Sequence, residues 1–142
     1  HAFAVIMADC LFCKMVSGEI PASKVYEDAG FIAVLDLYPA NKGHTLVIPK
    51  RHSERLEDLT EEELAGMALV VQSIARALKS ALGCPAVNVL QNSGREAGQL
   101  IMHNHFHVIP RYGDDGLLLK WPRNVYADGE MALFRQKLLK FL

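Results

Sequence analysis

The sequence is poor in the features that mark several common classes of protein. Its 142 residues hold no apolar run close to the roughly 18 residues that a membrane-spanning helix needs. The 15 basic and 16 acidic side chains leave a net charge of −1, which gives no electrostatic footprint for nucleic acid or an anionic membrane. Neither a G-x-x-x-x-G-K-[ST] loop nor a G-x-G-x-x-G fingerprint occurs. A small phosphorylated ligand remains compatible with a chain that is nearly neutral.

Cysteine is also scarce, and its number is odd. Three cysteines disfavour a disulfide framework. Because no positively charged export signal is apparent, we expect a cytosolic protein with reduced thiols. Residues 1–6 precede Met7 and are expected to be an added segment, so that residues 7–142 form a single domain. An apolar content of 51% and a charged content of 22% fit a globular domain with a substantial core.

Hydrophobic periodicity predicts an α+β fold. A short helical turn is expected over 13–18, closed by Gly18. Strand patterns, bounded by glycine, proline and turn residues, occupy 24–27, 31–36, 44–49, 86–91 and 103–110. The strands do not alternate with helices, which favours an antiparallel sheet over a parallel one.

A long helix is predicted from Thr60 to Leu82. Thr60 and Glu63 have the spacing of a capping box, and Gly83 suits the position just after the helix. A second helix is expected from Glu130 to Leu142, either covering the sheet or meeting a partner subunit. The long helix carries one apolar stripe, predicted to pack in the core: Leu64, Met67, Ala68, Val71, Ile74, Ala75, Leu78 and Leu82.

Three histidines, His103, His105 and His107, alternate along the last strand pattern. Side chains two apart on a strand share a face, so the pattern predicts three imidazoles in a row, about 6.6 Å apart and about 13 Å from first to last. Such a row is too wide for one zinc ion, whose nitrogen ligands lie at about 2.1 Å. Asn104 interrupts the apolar positions and predicts a partly wet far side of the sheet.

Cys10 and Cys13 have the spacing of a metal knuckle. Two thiolates make half of a tetrahedral site, and the remaining ligands would come from His44, His52 or a strand histidine. Two structural cysteines without a metal are the alternative. A redox dithiol is disfavoured because no strand precedes the motif.

The segment 91–99 joins the last two strands and is rich in amide and small residues. Its backbone N–H groups and neutral amides could face phosphate oxygens, although an ordinary hairpin turn would have a similar composition. Asp36 ends a strand just before a turn. Its carboxylate either caps that turn or binds a pair of sugar hydroxyls.

These residues together resemble the histidine triad (HIT) superfamily, and in particular its Hint-type and bacterial HIT-like hydrolase branch. The triad matches the pattern His-φ-His-φ-His-φ-φ, with φ apolar, except at Asn104. The resemblance extends over roughly residues 9–112 and includes the segments at 10–14, 18–21, 25–28, 43–50 and 98–99.

The resemblance implies a five-stranded antiparallel sheet with two helices, paired in a homodimer as a ten-stranded sheet. It also implies hydrolysis of a phosphoramidate or phosphoanhydride bond at the α-phosphate of a purine nucleotide, such as an adenosine phosphoramidate or a dinucleoside polyphosphate. His105 would be the nucleophile that forms a nucleotidyl-histidine intermediate. His107 would face the phosphate or leaving group, and His103 completes the catalytic triad.

The same resemblance assigns the binding residues. Asp36 would bind the ribose, Leu37 would lie beside the base, and the phosphate would contact Asn92, Gly98 and Gln99 together with His105 and His107. A structural, non-catalytic zinc ion would be held by Cys10, Cys13, His52 and His103.

Two other functions remain open from the residues alone. One is a zinc hydrolase in which His103, His105 and a third ligand hold a catalytic metal, although the predicted spacing of the row argues against it. The other is a nucleotide-binding sensor or scaffold protein with little turnover. For a histidine nucleophile, the Nδ1–H must be held by an acceptor. We expect that acceptor to be the carbonyl of Gly43 or a neighbour of His44.

Overall fold

The computed structural model describes residues 9–118 and 120–142, so the predicted added segment and the start at Met7 lie outside the described residues. Short 3₁₀ turns occur at Leu56–Asp58 and Arg95–Ala97. The helices and strands, in chain order, are α1 (Leu11–Ser17), β1 (Lys24–Glu27), β2 (Phe31–Leu35), β3 (Thr45–Pro49), α2 (Glu61–Leu82), β4 (Ala86–Gln91), β5 (Phe106–Arg111) and α3 (Glu130–Leu139).

The five strands form one antiparallel sheet in the order β1-β2-β3-β5-β4, which confirms the predicted α+β class. Both faces of the central strands are covered, which explains why every residue of β3 is buried. Ala33, Val47 and Val108 pack against α2 on one face. Val34 and Leu46 pack on the other face, against Phe12 of α1. The strand patterns for β2 and β3 are accordingly continuous and apolar rather than alternating.

The long helix begins and ends as its sequence predicts. The Thr60 hydroxyl accepts a hydrogen bond from the Glu63 backbone N–H (3.0 Å), and the Glu63 carboxylate accepts one from the Thr60 N–H (3.0 Å). Gly83 adopts a left-handed conformation with φ of +67°. Met67, Val70, Val71, Ile74 and Leu78 are buried. Three residues predicted to pack in the core are instead exposed, namely Leu64, Ala68 and Leu82.

Gly66 lets α2 approach the sheet closely. A Cβ atom at this position would lie 2.5 Å from two atoms of the Phe31 ring. We therefore expect Gly66→Ala to lower the unfolding free energy by up to about 2 kcal/mol, since overpacking costs about 1–3 kcal/mol and the higher helix propensity of alanine offsets about 1 kcal/mol. Denaturant unfolding would measure the change. Gly30→Ala is the control, because a Cβ there meets only Asp28 at 3.8 Å. If Phe31→Leu did not relieve the defect, the steric explanation would be wrong.

The predicted strand at 103–110 is shorter than its pattern suggests. β5 begins at Phe106, so that His103, Asn104 and His105 precede the strand. A long-range hydrogen bond is made there in place of a sheet bond, since the Asn104 backbone N–H donates to the carbonyl of Ser53 in the segment after β3 (2.7 Å). The prediction of three imidazoles in a row along one strand face is therefore wrong, and only His107 lies within β5.

The predicted wet far side of the sheet at Asn104 is also wrong. The Asn104 side chain is fully buried. Its amide nitrogen donates to the Ser53 hydroxyl (2.9 Å) and to the Arg55 carbonyl, and its amide oxygen accepts from Gln91 (3.0 Å). All these partners are polar groups of the protein. Asn104 therefore links the segment after β3, which contains Ser53 and Arg55, to Gln91 at the end of β4 by hydrogen bonds.

The C-terminal helix α3 ends at Leu139, three residues before the predicted end. None of its residues is buried. Within residues 9–118 and 120–142, no helix combines the length and apolar character needed to cross a membrane.

Candidate active site

Two of the three triad histidines lie at one cavity, on the α1 side of the sheet. His107 pairs with Leu46 across β3 and β5, so its side chain shares the face on which Leu46 packs near Phe12. His105 lies just before the strand, with its ring centroid 4.9 Å from that of His107. The Phe12 ring contacts His105 edge-on at 5.0 Å. Packing and strand register thus hold the two imidazoles side by side.

The orientation of His105 is set by a backbone carbonyl. Its Nδ1–H donates to the carbonyl oxygen of His103 at 2.8 Å, because a carbonyl can only accept. The acceptor is therefore His103 rather than the predicted Gly43 or a neighbour of His44. Burial lowers the pKa of His105, so the imidazole is neutral at pH 7 and its Nε2 carries a lone pair. This is the state that a nitrogen nucleophile requires.

A fourth histidine fixes the tautomer of His107. The backbone N–H of Ala40 donates to Nδ1 of His44 (3.0 Å), which places the proton of neutral His44 on Nε2. That Nε2–H donates to Nδ1 of His107 at 2.9 Å. His107 must then carry its own proton on Nε2. The chain of bonds therefore leaves His107 as a hydrogen-bond donor through Nε2.

Burial keeps the imidazoles of His44 and His107 uncharged. The pKa of His107 is lowered to about 4, first by burial and then by the neighbouring imidazoles of His105 and His44. Burial also lowers the pKa of His44. Both rings are consequently neutral near pH 7, which preserves the tautomers that the hydrogen bonds define.

A cavity of about 400 Å³ opens beside His105 and His107. That volume is within the range of small-molecule sites, and its walls are mostly apolar. The predicted residues Asp36, Leu37, Asn92 and Gly98 all line it. Further lining residues are Leu11, Phe12, Met15, Val34, Leu35, Tyr38, Leu46, Leu100 and Ile101.

Asp36 caps a turn while remaining at the cavity wall. One carboxylate oxygen accepts from the backbone N–H of Tyr38 (2.9 Å), and the other lies 3.7 Å from Nε2 of His44. The first contact is the turn cap considered from the sequence. The second oxygen is placed to accept hydrogen bonds from a ligand hydroxyl, so the two roles are compatible.

Gln99 does not present its side chain to the cavity. The side chain is buried, with 2% of the residue exposed. Its amide oxygen accepts from the Gly94 N–H (2.8 Å), and its amide nitrogen donates to the carbonyls of Glu54 (2.7 Å) and Ile101 (3.1 Å). Both N–H groups of the amide are therefore used within the protein. The Gln99 side chain thus shapes the 91–99 loop, and its predicted contact with a phosphate stays a prediction.

The third triad histidine, His103, faces a different cluster, composed of Cys10, Cys13, His52 and His103. Its Nε2–H donates to the carbonyl of Pro49 (2.7 Å), which leaves the Nδ1 lone pair directed at the cluster. Nδ1 of His103 lies 3.3 Å from the Cys10 sulfur and 3.5 Å from the Cys13 sulfur. Nδ1 of His52 lies 3.1 Å from Nδ1 of His103 and 3.3 Å from the Cys13 sulfur.

These distances fit a tetrahedral metal site. Zinc bond lengths of about 2.05 Å to nitrogen and 2.3 Å to sulfur give tetrahedral edges of about 3.4 Å (N–N) and 3.6 Å (N–S). Burial and the adjacent Cys10 raise the pKa of Cys13 to about 12, so thiolates here need a compensating cation. The four donors therefore fit a closed metal site, in which all the ligands come from the protein.

The fold agrees with comparisons to known proteins, and a zinc-bound relative is consistent with the Cys/His cluster. The model of the HIT domain family matches residues 17–114. The chain is 43% identical over 114 residues to adenosine 5'-monophosphoramidase of Schizosaccharomyces pombe, covering 80% of this chain and 83% of that protein.

Two solved structures are similar over nearly the whole chain. A HIT family protein from Bacillus subtilis has a TM-score of 0.89 and 39% identity, covering 94% of this chain and 97% of that one. A zinc-bound histidine triad family protein from Mycobacterium smegmatis has a TM-score of 0.74 and 40% identity, covering 95% and 96%. The chain belongs to the HIT domain family, as its residue pattern indicates.

Sequence reasoning missed two parts of the site. His44 was considered only as a metal ligand, yet it fixes the tautomer of His107. Phe12 lies between Cys10 and Cys13, and its ring packs against His105, a contact that the spacing of the cysteines does not predict. The pairing of β3 with β5 brings His44 and His107 together, and no pattern in the sequence indicates that pairing.

Proposed function

We propose that the protein is a nucleotide hydrolase that cleaves a phosphoramidate or phosphoanhydride bond at the α-phosphate of a purine nucleotide. The observation that carries the proposal is the pair of neutral imidazoles at the cavity, one with a free Nε2 and the other with an Nε2–H donor. The similarity to a protein named adenosine 5'-monophosphoramidase supports adenosine 5'-phosphoramidate as a substrate.

In the first step, Nε2 of His105 attacks the α-phosphorus, and the bond from phosphorus to the leaving nitrogen or oxygen breaks. Transfer of the nucleotidyl group to nitrogen leaves the His105 ring positively charged, and the His103 carbonyl stabilises its Nδ1–H. His107 donates its Nε2–H to a phosphate oxygen, which stabilises the negative charge that develops there. A departing amine takes its proton from water.

In the second step, water attacks phosphorus and the bond to His105 breaks, which returns the neutral imidazole and releases the nucleoside monophosphate. The attacking water releases its proton to solvent, where it neutralises the hydroxide formed when a departing amine is protonated by water. The apolar walls around Leu37 would hold the base, and Asp36 would accept hydrogen bonds from the ribose hydroxyls. Asn92 and the backbone at Gly98 lie at the same cavity and would contact the phosphate.

We also propose that Cys10, Cys13, His52 and His103 hold a structural zinc ion. The tetrahedral distances and the zinc-bound structural relative support this assignment. The ion, when bound, would link α1 to the segments that follow β3 and precede β5. Because all four ligands come from the protein, the site has no position for substrate. This argues against the catalytic-zinc alternative.

Two copies of the chain are proposed to pair through β4. This strand lies at an edge of the sheet, and Val89 within it is 44% exposed. An unpaired strand edge is a natural site for pairing with another chain. Antiparallel pairing of two β4 strands would give the ten-stranded sheet that the family resemblance implies.

The proposed role of Asp36 predicts a selective loss of ribose recognition. Asp36→Asn should raise KM for adenosine 5'-phosphoramidate about 10- to 100-fold, because a carboxylate accepts two hydroxyl hydrogen bonds more strongly than an amide. The wild type should prefer the substrate over its 2'-deoxy analogue, and the variant should lose most of that preference. Steady-state kinetics on both substrates measures the effect.

The control is Asp28→Asn, since Asp28 caps a turn through the N–H groups of Gly30 and Phe31 and does not line the cavity. It should leave KM unchanged. Equal discrimination by wild type and Asp36→Asn would contradict the ribose assignment. If the wild type bound the phosphoramidate without cleaving it, the alternative of a nucleotide-binding sensor or scaffold would be favoured.

A further inference from the structure

The turn at Asn41 joins the active site to a buried carboxylate beyond β5. The Asn41 amide nitrogen donates both of its hydrogens, one to the carbonyl of Pro110 (2.9 Å) and one to the carboxylate of Asp115 (3.0 Å). Pro110 belongs to β5, the strand that carries His107. Asn41 therefore links the loop before β3 to that strand and to the segment that follows it.

The same turn holds His44 through its backbone. The Asn41 carbonyl accepts the His44 backbone N–H (2.9 Å), and the Ala40 N–H donates to the His44 ring. The His44 carbonyl in turn accepts from the Asp36 N–H (2.9 Å). The position of the His44 imidazole thus depends on the conformation of the loop from Asp36 to His44.

Asp115 is held far more firmly than a surface carboxylate. Arg111 contacts both of its oxygens, at 2.8 and 3.1 Å, and the backbone N–H groups of Tyr112 (2.9 Å) and Leu117 (3.0 Å) donate to it as well. The Asp115 side chain is only 6% exposed. These donors hold the pKa of Asp115 well below its usual range, so the carboxylate is charged at pH 7. It is a fixed acceptor for the Asn41 amide.

We propose that Asp115 and Asn41 are positioning residues for the proposed hydrolysis, acting through His44 on the tautomer and orientation of His107. The path runs from the Asp115 carboxylate to the Asn41 amide, through the turn to the His44 ring, and then to Nδ1 of His107. Neither positioning residue lines the nucleotide cavity. The inference rests on the proposed function, because it assigns these residues to that site.

A double-mutant cycle tests whether Asp115 acts through His44. Asp115→Ala should lower kcat for adenosine 5'-phosphoramidate about 10- to 100-fold, since small misplacements of a reacting group cost about that much, with KM changed by less than about three-fold. In a His44→Ala background, the same substitution should lower kcat by less than about two-fold, because the path is already broken. Equal effects in both backgrounds would overturn the proposal.

The control is Asp114→Ala, which removes an exposed carboxylate next to Asp115 and should leave kcat unchanged. Asn41→Asp provides a second test that conserves side-chain size. It removes the amide donors and places a carboxylate against Asp115, so it should reproduce the loss of kcat. An unchanged kcat in both Asn41→Asp and Asp115→Ala, with only a lower Tm, would show that the network is merely structural.

Imidazole ¹⁵N NMR gives a readout that does not depend on turnover. In the wild type, both His44 and His107 should show the tautomer protonated on Nε2, and Asp115→Ala should give averaged shifts at both rings. If the wild type cleaves no nucleotide, but its two rings show the Nε2-protonated tautomer and Asp115→Ala gives averaged shifts, the proposed function fails while the positioning network stands. If the wild type is active and the shifts are the same in Asp115→Ala, the network fails while the function stands.

Discussion

Replacing His105 with alanine is expected to lower kcat for adenosine 5'-phosphoramidate by about 10⁴-fold or more, with AMP binding retained. Among the residues that the structure describes, His105 is the only imidazole at the cavity whose Nε2 lone pair is left available, since His107 carries its proton on that nitrogen. Removing the nucleophile of a covalent mechanism removes the whole pathway, and losses of such size are typical. Single-turnover kinetics with excess enzyme measures the change.

AMP affinity and the Tm of the variant are the controls for this experiment. Apolar cavity walls and Asp36 remain in His105→Ala, so the dissociation constant for AMP should change by less than about ten-fold. A variant that folds, binds AMP and still turns over at the wild-type rate would show that another group is the nucleophile.

Replacing Cys13 with serine is expected to reduce bound zinc from about one ion per chain to nearly none. It should also lower Tm by about 10 °C or more, because structural zinc contributes several kcal/mol and each kcal/mol moves Tm by about 3 °C at this size. Cys13 contributes one of four donors whose distances match a tetrahedral site. Metal analysis of protein purified without chelator, together with calorimetry, measures both effects.

Cys84→Ala is the matched control. Cys84 is also a buried cysteine, but it lies in the core beside α2 and outside the metal cluster. It should retain the full zinc content. A wild-type protein free of zinc, with a Tm that zinc does not raise, would contradict the structural-zinc assignment. Loss of turnover in zinc-depleted protein that is still folded would favour a catalytic metal.

The sequence predicted the fold well because its signals are local. The capping box at Thr60, the apolar stripe of α2 and the proline-ended strand β3 each depend on residues that are close in the chain. The apolar stripe of α2 was only partly right. Leu64, Ala68 and Leu82 follow the helical period but are exposed, since the period alone does not tell which part of a helix lies over the sheet.

The site was predicted less completely because its contacts are distant in the chain. His44 lies 63 residues from His107, and no local pattern links a histidine at the start of one strand to a tautomer on another. Asn104 looked like a surface residue, although Ser53 and Gln91 satisfy its amide in the interior. The even spacing of the triad predicted three imidazoles in a row on one strand. The strand begins only at Phe106, however, and His103 faces the Cys/His cluster, apart from His105 and His107.

The central claim is that His105 forms a covalent bond to the nucleotide. Mass spectrometry of protein quenched in acid-free conditions during turnover, followed by proteolysis, tests it most directly. The account predicts a peptide containing His105 with the added mass of one nucleotidyl group, absent from His105→Ala and from protein without substrate. Two results would contradict a covalent bond to His105. One is rapid turnover without this adduct in protein that is quenched before the intermediate can be hydrolysed, and the other is an adduct on His107.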